Sequence, residues 1–109
     1  MIRSASVQEA SQARSLRTGT MIDVRTPDEY GTGHIDGALS LPLHIVPLRV
    51  SELNRSETYY LVCESGARSG QACTYLSQLG FDVRSVSGGM SAWRNAGLPV
   101  KLGAQLLTR

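Results

Sequence analysis

A chain of 109 residues fits one domain, and a domain of that size hides roughly two thirds of its unfolded surface, enough for a core without staples. The composition, 41% hydrophobic and 18% charged, is that of a globular protein, and a formal charge of +2 is too small to argue for nucleic-acid or membrane binding. One Trp and one Phe make a poor base-stacking platform, and no apolar run approaches the ~20 residues of a membrane span. Residues 1–6 lack the apolar stretch of a signal peptide, and two cysteines without secretory context do not make a disulfide framework. The expectation is a soluble cytoplasmic protein.

Ser6-Val7-Gln8-Glu9 is a capping-box pattern, and Val7, Ala10, Ala13 and Leu16 then share one helical face that Gly19 should end. Met21-Ile22-Asp23-Val24 reads as a buried parallel strand. Thr26-Pro27-Asp28-Glu29 looks like a helix start, with Thr26 as N-cap, and the helix is short because Gly31 and Gly33 follow. Residues 34–38 are a turn-rich connection, and Leu39-Ser40-Leu41-Pro42 reads as a short strand closed by proline. Leu43, Val46, Val50 and Leu53 stand at helical spacing, interrupted by Pro47, so that helix is expected to start near the proline.

Residues 54–57 form a polar loop before the apolar strand Thr58-Tyr59-Tyr60-Leu61-Val62. From Ala67 on, Ala72, Cys73, Leu76 and Leu79 form an apolar helical face, and Gly80 is its stop. Residues 81–86 alternate towards a strand, Gly88-Gly89 is a tight turn, and residues 90–96 form a short helix carrying Trp93. Leu102, Leu106 and Leu107 either dock as a last half-helix or belong to a linker, so the single domain over residues 1–109 has its core at about 4–101 and a tail at 102–109. Strand and helix signals alternate throughout, which predicts βαβ units and a mostly parallel sheet covered on both faces. Ligands bind outside the carboxyl ends of strands in such sheets, and Cys63 lies at one of these ends.

The stretch Cys63-Glu64-Ser65-Gly66-Ala67-Arg68-Ser69 thus joins a strand to a helix. Unpaired N–H groups at such a turn point into one small concavity, and the helix dipole and Arg68 add positive charge. All of these favour thiolate over thiol, so the loop reads as an anion cradle with a nucleophilic sulfur at its floor.

Several stretches together resemble the rhodanese-like family: Asp23-Val24-Arg25 with Glu29-Tyr30, Gly33-His34-Ile35 and Gly37-Ala38; the loop from Cys63 to Ser69; Gly80-Phe81-Asp82-Val83 with Gly88-Gly89-Met90 and Trp93; and Ala96-Gly97-Leu98-Pro99-Val100. The resemblance covers nearly the whole chain in order. It implies a three-layer α/β/α domain around a mostly parallel five-stranded sheet, and a sulfurtransferase in which Cys63 takes a sulfane sulfur from thiosulfate, a persulfide or a polysulfide. A thiophilic acceptor such as cyanide, a thiol or an acceptor protein then removes it, with no metal or organic cofactor. Carried over residue by residue, Cys63 is the catalytic sulfur carrier, Glu64, Ser65, Gly66, Ala67, Arg68 and Ser69 form the cradle, and Arg68 matches the loop arginine. Related cell-cycle phosphatases place five residues between cysteine and arginine, whereas only Glu64, Ser65, Gly66 and Ala67 intervene here, which resembles the sulfurtransferase branch. The alternatives are a non-catalytic interaction module that keeps the fold, and a phosphatase or arsenate reductase.

Other residues read as structural near the site. Asp23 is expected to accept backbone N–H bonds and Arg25 to pair with Glu29. His34 and a surface His44 have no partner at metal-ligand spacing. Cys73 is read as packing rather than as a resolving thiol, and Trp93 as a core anchor. Arg68 is expected to bind the donor's anionic group, the alternative being that it pins the loop through a carboxylate. Glu64 is discordant, because an acid beside an anion site opposes anionic donors unless it points to solvent.

Overall fold

Met21 and Ile22, adjacent in the chain, are both buried, and they belong to two different apolar clusters. Successive side chains of a strand point to opposite faces, so this is a sheet covered on both sides. The computed structural model describes residues 2–103. Its elements are β1 (Arg3–Ala5), α1 (Val7–Leu16), β2 (Thr20–Asp23), α2 (Pro27–Gly31), β3 (Leu39–Ser40), α3 (Val46–Arg49), β4 (Thr58–Val62), α4 (Ala67–Gln78), β5 (Asp82–Val86) and α5 (Gly89–Asn95). The strands form one five-stranded sheet in the order β1-β5-β4-β2-β3, and every pairing is parallel.

One face carries Ile22, Leu61 and Val83 against Ala72, Cys73 and Leu76 of α4 and Val46 of α3. The other carries Met21, Val62 and Val86 against Val7 and Ala10 of α1, Tyr30 of α2, and Met90 and Trp93 of α5. This is the three-layer α/β/α arrangement. Trp93 is the anchor of the second face, with 1% of its surface exposed and its ring N–H donating to the Pro99 carbonyl at 2.8 Å.

Both predicted helix starts are present. The Ser6 hydroxyl accepts from the Glu9 N–H at 3.0 Å while the Glu9 carboxylate accepts from the Ser6 N–H at 2.7 Å, and Thr26 and Glu29 make the same reciprocal pair. Three local expectations change. First, α1 ends at Leu16 rather than at Gly19, because Arg17 takes the left-handed cap conformation (φ 60°); Gly19 is small for another reason, since a Cβ there would collide with the Tyr60 ring. Second, residues 43–53 form one α-turn flanked by 3-10 turns at Leu43–Ile45 and Val50–Glu52, with Pro47 inside the first turn of α3. The apolar spacing still works: Val46 and Leu53 are buried, and Leu43 and Val50 pack against the same cluster. Third, the residue pattern marks four strands and misses β1, because Arg3 and Ser4 are exposed and the strand has a single neighbour, β5.

Of the tail, Leu102 is 72% exposed; Leu106 and Leu107, the other residues of the suggested half-helix, lie outside the described residues. No helix among the described residues is long and apolar enough to cross a membrane. The register sets Asp23 beside Val62, so β2 and β4 end level, and the Val24 N–H still donates to the Val62 carbonyl at 2.9 Å. Val24-Arg25 and Cys63-Glu64 therefore leave the sheet side by side.

Candidate active site

Cys63 follows the last residue of β4 and is 1% exposed. Three residues later Gly66 is the N-cap of α4, at φ 119°, a conformation that L side chains rarely adopt. That turn brings the Gly66 N–H back onto the Cys63 sulfur at 3.0 Å. Ser69, in the first turn of α4, is fully buried with its hydroxyl oxygen 3.5 Å from the same sulfur. The Ser69 hydroxyl also lies 2.7 Å from that of Ser85 on β5 and 3.1 Å from the Gly66 carbonyl. Burial pushes the Cys63 thiol up, but hydrogen bonds from the Ser69 hydroxyl and from the N–H groups of Ser69, Gly66 and Ser65 outweigh it, so its pKa is lowered. Cys73, one helical turn beyond Ser69, has no such donors; burial and the neighbouring Cys63 push it up to about 12. It belongs to the core and lies in the same apolar cluster as Cys63.

The charges around the loop pair differently from expectation. Arg25 does not pair with Glu29. Its guanidinium meets Asp23 through Nε–Oδ1 at 3.0 Å and Nη2–Oδ2 at 2.8 Å, and donates to the Gly33 carbonyl at 2.8 Å. Both side chains are essentially buried, at 1% and 0% exposure, so the pair is worth keeping intact rather than strongly stabilising. Asp23 also accepts the Arg25 backbone N–H at 3.0 Å, as the sequence suggests. Glu29 is instead gripped by Arg68 at 2.7 and 2.9 Å, the bidentate fork that ties the start of α4 to the start of α2. The Arg68 hydrogen bonds hold the Glu29 carboxyl at about 2. Arg68 is thus engaged by a carboxylate, as in the loop-pinning alternative, through two of its five N–H donors, and its side chain stays 34% exposed.

Glu64 finds two partners: Arg25 Nη1 at 3.5 Å and Arg94 of α5 at short range. Its charge, discordant in the sequence, is met by two guanidiniums. The backbone of the loop is held by the same helix, whose Met90 N–H donates to the Cys63 carbonyl at 2.8 Å and whose Ser91 N–H donates to the Glu64 carbonyl at 3.0 Å. This close docking requires Gly89 (φ 55°), since a Cβ there would collide with the Cys63 carbonyl oxygen and lie 2.7 Å from that of Glu64.

His34 is buried and stacks on the Tyr30 ring at 3.7 Å between centroids. Its Nδ1 lies 2.9 Å from the Tyr30 carbonyl, which only accepts, so Nδ1 carries the proton. His34 therefore braces the segment whose Gly33 carbonyl receives Arg25, while His44 is exposed. Among the described residues no three His, Cys, Asp or Glu side chains converge as a metal-binding group. Two open grooves of about 550 and 570 Å³ are lined by Thr20 and Asp82, the first residues of β2 and β5, at the opposite end of the strands from Cys63.

Arg94 and Ser85 belong to this constellation but were not singled out in the sequence. Glu64 requires a countercharge somewhere, but no periodicity points to Arg94, and only the pairing of β5 beside β4 brings Ser85 under α4. A sulfur met by N–H and O–H donors can attack an electrophilic centre and hold the anion that results.

Comparison with known proteins agrees with this geometry. Residues 6–96 match the rhodanese-like domain. A protein named sulfurtransferase from Allochromatium vinosum is 46% identical over 81 residues, covering 73% of this chain and 76% of that protein. Thiosulfate sulfurtransferase GlpE of Shewanella oneidensis is 33% identical over 92 residues, covering 84% and 91%. Among solved structures, a rhodanese-related protein from Thermoplasma volcanium superposes with a TM-score of 0.87 at 32% identity, over 92% of this chain and 98% of that one. Fold, loop and relatives converge: the chain belongs to the rhodanese-like domain family.

Proposed function

We propose that the protein is a sulfurtransferase that carries a sulfane sulfur as a persulfide on Cys63. The observation that carries this reading is the Gly66 N–H directed at the Cys63 sulfur at 3.0 Å, within a loop that leaves only four residues between Cys63 and Arg68. In the first step the Cys63 thiolate attacks the outer sulfur of thiosulfate, a persulfide or a polysulfide. The donor's S–S bond breaks and its electron pair leaves with sulfite or a thiolate. In the second, cyanide or a thiol attacks the outer sulfur of the Cys63 persulfide and restores the thiolate. The N–H groups of Ser65, Gly66 and Ser69 stabilise the anionic sulfur in both states, so no metal or organic cofactor takes part. The Ser69 hydroxyl accepts from the Cys63 thiol and turns to donate once the thiolate forms, Arg68 and Glu29 hold the loop to α2, and Asp23, Arg25 and His34 brace the neighbouring strand end.

Intact mass spectrometry tests this. Incubation with thiosulfate or an alkyl persulfide adds one sulfur atom to the wild type, cyanide removes it, and Cys63→Ser never acquires it. A wild type that gains sulfur from no donor refutes the proposal, and turnover of an aryl phosphate or arsenate in its place would move the chemistry to the phosphatase or arsenate-reductase branch.

A further inference from the structure

The loop is flanked by three arginines, and each is met by a carboxylate. Arg25 is held by Asp23, Arg68 by Glu29, and Arg94 by Glu64, whose other oxygen reaches Arg25. Glu64 is the residue directly after Cys63, and its side chain is 40% exposed, on the rim rather than in the core. Arg94 is 45% exposed, and among the described residues its recorded ion pair is with Glu64 alone. A partly exposed guanidinium on the rim of a cysteine loop would attract an anionic donor, and Glu64 cancels it.

We propose that Glu64 is a specificity-determining residue that neutralises Arg94 and the outer edge of Arg25, and so shifts donor choice away from dianionic thiosulfate towards donors of lower charge, such as an alkyl persulfide. This rests on the sulfurtransferase reading. Thiosulfate brings two negative charges to the rim and carries two away as sulfite. An alkyl persulfide in its RS–SH form brings none. The Cys63 thiolate attacks its outer sulfur, the donor S–S bond breaks towards the inner sulfur, and RS⁻ leaves and takes up the proton, with the negative charge ending on the Cys63 persulfide. Interaction of a fixed charge with the approaching donor scales with the donor's charge, so Glu64 weighs on the first donor and hardly on the second.

The test compares Glu64→Gln with wild type for the rate at which intact mass records sulfur loading from thiosulfate and from 2-hydroxyethyl persulfide. The ratio of the two rates cancels any general damage to the loop. In Glu64→Gln the thiosulfate-to-persulfide ratio rises by about tenfold at low salt and the gain fades at high salt. In Glu64→Gln/Arg94→Gln the ratio falls back towards that of wild type, because the released cation is gone. Asp23 and the Gly33 carbonyl still hold Arg25 in both variants, so both fold, and urea denaturation verifies it. A ratio that stays level or drops in Glu64→Gln overturns the proposal while leaving the sulfurtransferase reading intact, and so does a gain that survives removal of Arg94. A wild type that loads from neither donor overturns both.

Discussion

Replacing Ser69 by Ala takes one hydroxyl away from the Cys63 sulfur and leaves the N–H donors of Ser65, Gly66 and Ser69 in place. A hydrogen bond to an ionised partner contributes roughly 1.5–3 kcal/mol, and the 3.5 Å separation argues for the lower end. At about 1.4 kcal/mol per tenfold change, that shifts the balance from Cys63 thiolate to thiol by about tenfold at a given pH, so the midpoint moves to higher pH. The assay is the pH dependence of alkylation by iodoacetamide, followed by intact mass. Cys73, pushed up to about 12 by burial, stays silent over the same range and serves as an internal control. Ser85→Ala removes only the neighbour that orients the Ser69 hydroxyl, so its midpoint moves in the same direction but less. A Ser69→Ala midpoint that is unchanged or lower would falsify the idea that this hydroxyl stabilises the thiolate. In that case the backbone cradle alone sets the reactivity of Cys63.

Arg25→Met leaves the Asp23 carboxylate buried and uncompensated, which costs about 3–5 kcal/mol in urea denaturation, and a loss below about 1 kcal/mol contradicts the buried pairing. Gly89→Ala drives a methyl group into the Cys63 and Glu64 carbonyls at a positive φ; it is expected to destabilise by about 1–3 kcal/mol and to slow sulfur loading, and an unchanged Tm would count against the close docking of α5. Glu29 has its folded pKa lowered to about 2 from 4.5, so its stabilising contribution is complete above the unfolded value and is lost as the pH falls towards 2. With 34% of the side chain exposed, that contribution is about 1 kcal/mol rather than the full shift; the stability gap between wild type and Glu29→Gln should close over that acidic window, and a gap independent of pH rules the linkage out.

The capping box at Ser6 and the N-cap at Thr26 were legible because their donors and acceptors lie three residues apart and need only the local turn to meet; that Glu29 closes a second box was not read from the sequence. The Cys63 loop was legible for a similar reason: a strand run, a cysteine, a glycine and a helical face follow one another, and the Gly66 N–H reaches the sulfur within that single turn. β1 was not, because its three residues carry no pattern of their own and become a strand only when β5 offers an edge. The same holds for Ser85, whose hydroxyl meets Ser69 across two elements.

By itself, then, the sequence determined the alternation of strands and helices and the cysteine at a strand end with the turn that wraps it, from patterns within a few residues, and the family resemblance, from the order of such stretches along the chain. Only the tertiary structure decided how the charges pair. Arg25 had Asp23, Glu29 and Glu64 to choose from, and Arg68 sits 39 positions from the carboxylate it holds. Glu64 meets Arg94 across 30 positions. Coulomb attraction between side chains does not depend on sequence separation, so many pairings are compatible with one sequence. It was the level ends of β2 and β4 and the docking of α5 on the loop that selected these.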